Sequence, residues 1–330
     1  MVQGLIPEVR ELRGVLPALV TPLDAAGRVD EAGVRRLVEH VLDGGVHGLV
    51  ALGSTGETAS LDETGRRRML AACVEATRGR VPVLCGVAQP HLSGAVVEVK
   101  AAAELGAVAV LAAPPFYYPI DQPTVLDYYR RLAAESPLPI LVYNIPQFTK
   151  VVIEPTTLAT LAGEGIVVGI KDSSRDYEYF EQVCLATRGL EGFKVFTGSD
   201  WMLLGSLVMG AAGTICGSAN VAPAWVVRLF DDFKAGRWDA ARVHQDALVE
   251  LMIALRAGVF PTAIKASLDL QGICGPWSVA PVPLVSDSTR AALREWLLSR
   301  DLLPPVTATD RPIERSPNAS GPDRASTVPA

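Results

Sequence analysis

Residues 139–171 read PILVYNIPQFTKVVIEPTTLATLAGEGIVVGIK. Two short apolar runs, 139–143 and 167–171, flank a helical stretch at 155–162. Runs of nearly unbroken apolar character fit strands buried on both faces, as parallel strands joined by helical crossovers are. The same unit repeats in both directions along the chain. Upstream, strands are expected at 15–20, 47–52, 82–87 and 108–112, and downstream at 194–197 and 213–216. Amphipathic stretches alternate with them at 31–43, 62–77, 93–105, 123–134, 176–187, 201–209 and 223–234. Eight strand–helix units in a row predict an α/β fold, a (β/α)8 barrel. A doubly wound sheet is the alternative, but no G-x-G-x-x-G follows the first strand.

Past the eighth unit the alternation stops. Stretches 238–258, 262–270 and 286–299 read as helices with no strand between them. They predict a barrel over 14–235, a C-terminal helical region over 236–303, and a tail at 304–330. That tail is rich in Pro, Ser and Thr, a composition expected to be disordered. The uncharged stretch 201–227 resembles a membrane span by hydropathy alone. Glycines at 205, 210, 213 and 217, together with Asn220 and Pro223, break it into a buried helix, strand and helix start.

With 330 residues, 49% of them hydrophobic, the chain can bury a large core. Its net charge of −6 gives a nucleic acid no basic face. Arg66, Arg67 and Arg68, on one helix, read as a solvated face. Five cysteines without a C-x-x-C pair read as reduced thiols of a cytoplasmic protein. The N-terminus has no apolar core of the signal-peptide kind. The four histidines form no metal-binding pattern. No membrane or nucleic-acid partner is expected.

In a barrel of this type the reactive groups stand at the carboxyl ends of the strands. Among the six lysines, Lys100, Lys234 and Lys265 fall on helices, Lys194 opens a strand, and Lys150 lies beyond one. Lys171 alone closes a strand. An ammonium there is costly to desolvate, which favours the neutral amine that attacks a carbonyl. Strand position equally allows a lysine that snorkels to solvent or pairs with Asp172. Tyr143 ends the neighbouring strand and is placed to move a proton beside Lys171. Taken alone, it equally reads as a tyrosine capping the barrel. The loop Gly53-Ser54-Thr55-Gly56-Glu57 offers hydroxyls and free amides near a helix start, which suit a carboxylate. An ordinary βα turn with capping hydroxyls is the other reading. The rigid segment Pro114-Pro115-Phe116-Tyr117-Tyr118-Pro119 faces the same end, as a second phenol or as an interface knob.

Over residues 14–300 the G-S-T-G-E loop, the Y-N-I-P strand end and the G-I-K-D strand end, in that order, resemble the dihydrodipicolinate synthase / N-acetylneuraminate lyase family. The resemblance implies a Schiff base between Lys171 and a 2-oxo acid, with no cofactor beyond that covalent imine. It implies Tyr143 as proton shuttle, with Gly53, Ser54 and Thr55 around the carboxylate. Thr55 would link Tyr143 to a tyrosine of a neighbouring subunit, for which Tyr117 is the match. Gly198 and the carbonyl of Ile215 would line the pocket. A homo-oligomer, dimer or tetramer, is implied as well.

Three departures bear on the substrate. Phe148 stands where synthases of the family carry an arginine for a second carboxylate, and a phenyl ring cannot replace that bidentate grip. Trp201 follows Gly198-Ser199-Asp200, where sialic acid lyases carry an acidic residue. Lys150 stands at a common glycine. The expectation is a lyase, aldolase or dehydratase acting on a 2-oxo-3-deoxy sugar acid, with Asp200, Ser173 and Thr149 meeting its hydroxyls. The alternatives are a 4-hydroxy-tetrahydrodipicolinate synthase, an N-acetylneuraminate lyase, a metal-dependent aldolase, and a barrel that binds a small acid without turnover.

Overall fold

The computed structural model describes Val9 and residues 11–303. The expected disorder of 304–330 lies outside the described residues. Eight strands follow one another: β1 (Gly14–Pro17), β2 (Leu49–Ala51), β3 (Val83–Val87), β4 (Ala109–Ala112), β5 (Ile140–Asn144), β6 (Gly169–Asp172), β7 (Lys194–Thr197) and β8 (Gly213–Cys216). Each pairs in parallel with its sequence neighbour from β2 through β8, and β8 returns to β1. A parallel bridge between Ala18 and Val50, with the Leu19 amide donating to the Val50 carbonyl at 2.9 Å, joins β1 to β2 and closes the ring. A doubly wound sheet has two open edges, so this closure removes that alternative.

The crossover helices are α1 (Glu31–Asp43), α2 (Glu63–Thr77), α3 (Leu92–Glu104), α4 (Gln122–Glu135), the single turn α5 (Pro146–Thr149), α6 (Pro155–Gly163), α7 (Tyr177–Ala186), α8 (Leu203–Val208) and α9 (Pro223–Lys234). The helices α10 (Trp238–Ala254), α11 (Thr262–Leu270) and α12 (Asp287–Ser299) follow. Three helices start one residue later than their sequence pattern, because the first residue of the pattern is the cap. Asp62, Asp176 and Ser286 accept from the amides of Gly65, Tyr179 and Thr289 instead of entering the helix. The stretch 201–227 folds as expected, into α8, β8 and the start of α9, joined by short 3-10 turns. No described helix is long and apolar enough to cross a membrane.

Strand residues alternate between two cores. Leu16, Val50, Leu84, Leu111, Leu141, Phe196 and Ile215 pack inside the barrel. Their neighbours Val15, Cys85, Val110, Val142 and Ile170 pack outward against the helices. Val9 and Leu12 join the inner cluster, ahead of β1. From the C-terminal region Leu248, Leu251, Ile264, Leu268 and Leu297 join the outer cluster, so those helices are packed onto the barrel. The three arginines of α2 are more than a solvated face. Arg66 pairs with Glu98 at 2.7 Å, Arg67 with Glu104 at 3.3 Å and Arg68 with Glu31 at 2.9 Å, tying α2 to both flanking helices.

Candidate active site

Tyr143 and Lys171 sit opposite each other in the β5–β6 register, so both side chains enter the barrel on the same layer. Lys171 Nζ donates to the Tyr143 hydroxyl at 3.3 Å and lies 4.4 Å from the centre of its ring. The two residues are only 4% and 5% exposed. Lys171 is the penultimate residue of β6, and Asp172 closes it. The period of two then turns Asp172 outward, away from Lys171. Its carboxylate accepts from Asn144 Nδ2 at 2.8 Å and from Ser174 Oγ at 2.9 Å. The readings of Lys171 as a partner of Asp172 or as a snorkelling lysine are therefore excluded. Burial raises the Asp172 carboxyl above its usual range, partly offset by the Asn144 and Ser174 hydrogen bonds.

Above β2 the chain turns sharply. Leu52 takes the left-handed conformation at φ +61°, an uncommon and strained state for a residue with a Cβ. Its carbonyl then passes so close to β3 that a Cβ on Gly86 would collide with Leu52 O. Only glycine fits there, and the turn presents Gly53-Ser54-Thr55 to the barrel mouth. Ser54–Gly56 forms one 3-10 turn, whose first bond is Gly56 N–H to Gly53 O at 3.0 Å. The amides of Ser54 and Thr55 precede that bond and are available to a ligand. Ser54 Oγ comes within 3.4 Å of the Tyr143 hydroxyl. The link to Tyr143 expected of Thr55 thus falls to Ser54, because a residue's position in a one-turn helix decides which hydroxyl faces inward.

At the β7 end Gly198 makes room for the lysine. A Cβ there would collide with Ser173 Oγ and lie 2.8 Å from Lys171 Cε. Gly198, Ser173 and Lys171 therefore share one small space. Ile215 is fully buried in the inner cluster with Tyr143 and Phe196.

Other expected site residues are placed differently. Asp200 is buried, and its carboxylate accepts from Ser218 Oγ, so it is not free for a substrate hydroxyl. Burial raises its carboxyl, with the Ser218 bond acting against the shift. Thr149 Oγ1 is bonded to the carbonyls of Ile145 and Val151, both at 3.1 Å, so its hydroxyl is engaged by its own backbone. Tyr117 is 77% exposed and packs edge-on against Tyr118. Lys150 adopts φ +61° at the end of α5, the conformation a glycine would supply, so the loop keeps the glycine shape without a glycine.

A cavity of about 320 Å³ opens from Tyr143 and Ser54. Phe148 and Phe116 line it, as do Phe260, Pro261 and Val282 from the C-terminal region. Nothing local in the sequence marks those last three as active-site cover. Lys265, which the sequence places simply on a helix, is a second such case. It is 0% exposed, forms an ion pair with Glu57, and donates to Trp277 O at 2.7 Å. Glu57 also accepts from the Val279 amide at 2.8 Å. The loop carrying Ser54 is thereby clamped to the C-terminal helices. Among the described residues no group of three or more His, Cys, Asp or Glu side chains is placed to hold a metal ion.

The Dihydrodipicolinate synthetase family matches residues 11–299. The chain belongs to that family. It is similar to an uncharacterized DapA-like lyase of Halobacterium salinarum, at 37% identity over 88% of this chain and 95% of that protein. It is also similar to a 4-hydroxy-tetrahydrodipicolinate synthase of Phenylobacterium zucineum, at 38% identity over 84% of this chain and 94% of that one. A prophage protein of E. coli K12, of the same family and solved in complex with pyruvate, superimposes with a TM-score of 0.85. It shares 25% identity and covers 88% of this chain and 99% of its own. Members of the dihydrodipicolinate synthetase family are lyases and synthases that use a lysine Schiff base with pyruvate, and this chain is an enzyme of that class.

Proposed function

We propose that the chain is a Schiff-base lyase in which Lys171 condenses with the oxo group of a 2-oxo acid, in the direction of pyruvate and an aldehyde or the reverse. The observation that carries this reading is the 3.3 Å contact between Lys171 Nζ and the Tyr143 hydroxyl inside the barrel mouth. The amine attacks in its neutral form, and the phenol beside it gives its proton a path away. Tyr143 carries the proton between the carbinolamine, the substrate hydroxyl and the carboxylate, a role worth about 10²–10⁴-fold in rate. Ser54 relays to Tyr143, and the Ser54 and Thr55 amides hold the 2-oxo acid carboxylate. Ser173 and the Cβ-free space at Gly198 accommodate the imine, and Ile215 closes the pocket floor. The iminium is the electron sink, so no separate cofactor is needed. Tyr117, exposed on its own chain, reaches the site of a second copy in a homo-oligomer. Five unpaired, buried thiols support a reducing, cytoplasmic location.

The sugar-acid, sialic-acid and aspartate-semialdehyde readings share this pyruvate half. They differ in what lies beyond it, where Phe148 lines the cavity in place of a cation. That argues against a 4-hydroxy-tetrahydrodipicolinate synthase, whose second substrate brings a further carboxylate. The test is borohydride reduction in the presence of pyruvate, followed by peptide mass spectrometry. A reduced pyruvyl adduct on Lys171, absent in Lys171→Ala, is the expected outcome. No adduct in folded protein would promote the non-catalytic binding barrel, and an adduct on another lysine would move the nucleophile.

A further inference from the structure

The cavity that opens from Tyr143 is walled by Leu52, Val87, Leu111, Ile145, Phe148 and Phe260, among others. No lysine or arginine lines it, and its one charged lining residue is Glu57. The Glu57 carboxylate is already taken by Lys265 and the Val279 amide. Of the five wall hydroxyls, that of Thr149 is bonded to its own backbone, those of Ser54 and Tyr143 face each other, that of Thr58 is buried without a partner, and Ser60 lies on the exposed rim. We infer that the aldehyde handled at this site is apolar, with an aromatic or branched hydrocarbon body in place of a polyhydroxylated or carboxylated chain. The inference rests on Lys171 as the pyruvate-binding lysine and adds the identity of the second reactant.

Two physical arguments carry it. A polyol entering this space would find Thr58 and, at the rim, Ser60 as free partners, and would trade water for carbon on its remaining hydroxyls, where a buried hydroxyl without a partner is strongly disfavoured. A carboxylate would meet the Phe148 ring and the acidic Glu57, with no cation to receive it. An apolar body instead displaces water from apolar walls. An apolar cavity of about 150 Å³ already holds a benzene ring, so a volume of about 320 Å³ leaves space for a ring beyond the pyruvyl carbons.

The chemistry balances without an added reactant. Tyr143, left as phenolate after giving its proton to the water that departs as the iminium forms, takes a C3 proton and so converts the Lys171 iminium of pyruvate to an enamine. The enamine C3 attacks the aldehyde carbon and forms one carbon–carbon bond. The carbonyl π pair becomes an alkoxide, which takes that proton from Tyr143, and the phenolate regains one from the water of the next step. Water then hydrolyses the iminium, releasing a 4-hydroxy-2-oxo acid and free Lys171. Cleavage is the same sequence reversed.

The experiment uses the full chain and follows pyruvate consumption with benzaldehyde, 3-methylbutanal, D-glyceraldehyde and succinic semialdehyde, alongside borohydride trapping on Lys171. The two apolar aldehydes are expected to exceed the other two by at least about tenfold in kcat/KM, within the roughly 10–200-fold range that apolar pockets achieve. Phe148→Arg should narrow or invert the ratio for succinic semialdehyde. If Lys171 is trapped but glyceraldehyde or succinic semialdehyde reacts as well as the apolar pair or better, or the apolar pair does not react, the inference is overturned and the Schiff-base reading stands. Absence of trapping overturns both.

Discussion

Replacing Lys265 by methionine tests the clamp that holds the Ser54 loop. Methionine keeps much of the length and volume but removes the ion pair to Glu57 and the bond to Trp277 O. The Glu57 carboxylate would be left with the Val279 amide as its remaining partner. The Lys265 and Glu57 side chains are 0% and 6% exposed, so solvent does little to screen the loss. Breaking such a buried pair from one side costs about 3–5 kcal/mol. That is a large part of a total stability of about 5–15 kcal/mol. Equilibrium urea denaturation, read by tryptophan fluorescence and far-UV circular dichroism, measures it. Replacing both partners by apolar residues, Glu57→Leu with Lys265→Met, should recover most of the stability, because neither charge is then stranded. The displaced Ser54 loop should also raise the KM for pyruvate in the single variant. A loss below about 1 kcal/mol in Lys265→Met, or a double variant as unstable as the sum of the singles, would refute the clamp.

Three further outcomes are expected. Tyr143→Phe removes the hydroxyl shared by Lys171 and Ser54. Turnover should fall by about 10²–10⁴-fold with the fold unchanged, and a near-normal kcat would end the shuttle role. Gly198→Ala places a methyl against Lys171 Cε and Ser173 Oγ, so pyruvate trapping on Lys171 should slow sharply while the circular dichroism spectrum stays that of the parent. Unaltered trapping would show that this space is not used. Asp200 is a carboxyl raised by burial, so the stability it confers is present below its unfolded pKa of about 3.9 and declines as pH rises through the higher folded value. Asp200→Asn keeps an acceptor for Ser218 and should make stability less sensitive to pH between the unfolded and the raised folded value. A pH–stability curve parallel to that of the parent would count against this account.

The strand-and-helix alternation, the eight units and the pairing of Tyr143 with Lys171 at the barrel mouth follow from local pattern. A period of two fixes which strand residues face inward, and a strand's end is marked by where its apolar run stops. The same pattern makes Lys171 the last strand residue, one position short, because strand ends are set by ladder bonds to neighbours and not by hydropathy. Local pattern also marks the G-S-T-G-E loop as a ligand-facing turn, and the family resemblance adds Gly198. That resemblance points to Thr55 as the partner of Tyr143, where the structure has Ser54. The difference depends on the left-handed Leu52 and on the orientation of a single turn. The engagement of Asp200 by Ser218, the Glu57–Lys265 clamp and the Phe260 wall were decided by tertiary structure alone. The first joins the ends of the paired strands β7 and β8, and the other two join segments that meet only when the C-terminal helices pack onto the barrel. Hydrophobic period is a property of neighbours in sequence, whereas partnership of buried charges is a property of neighbours in space.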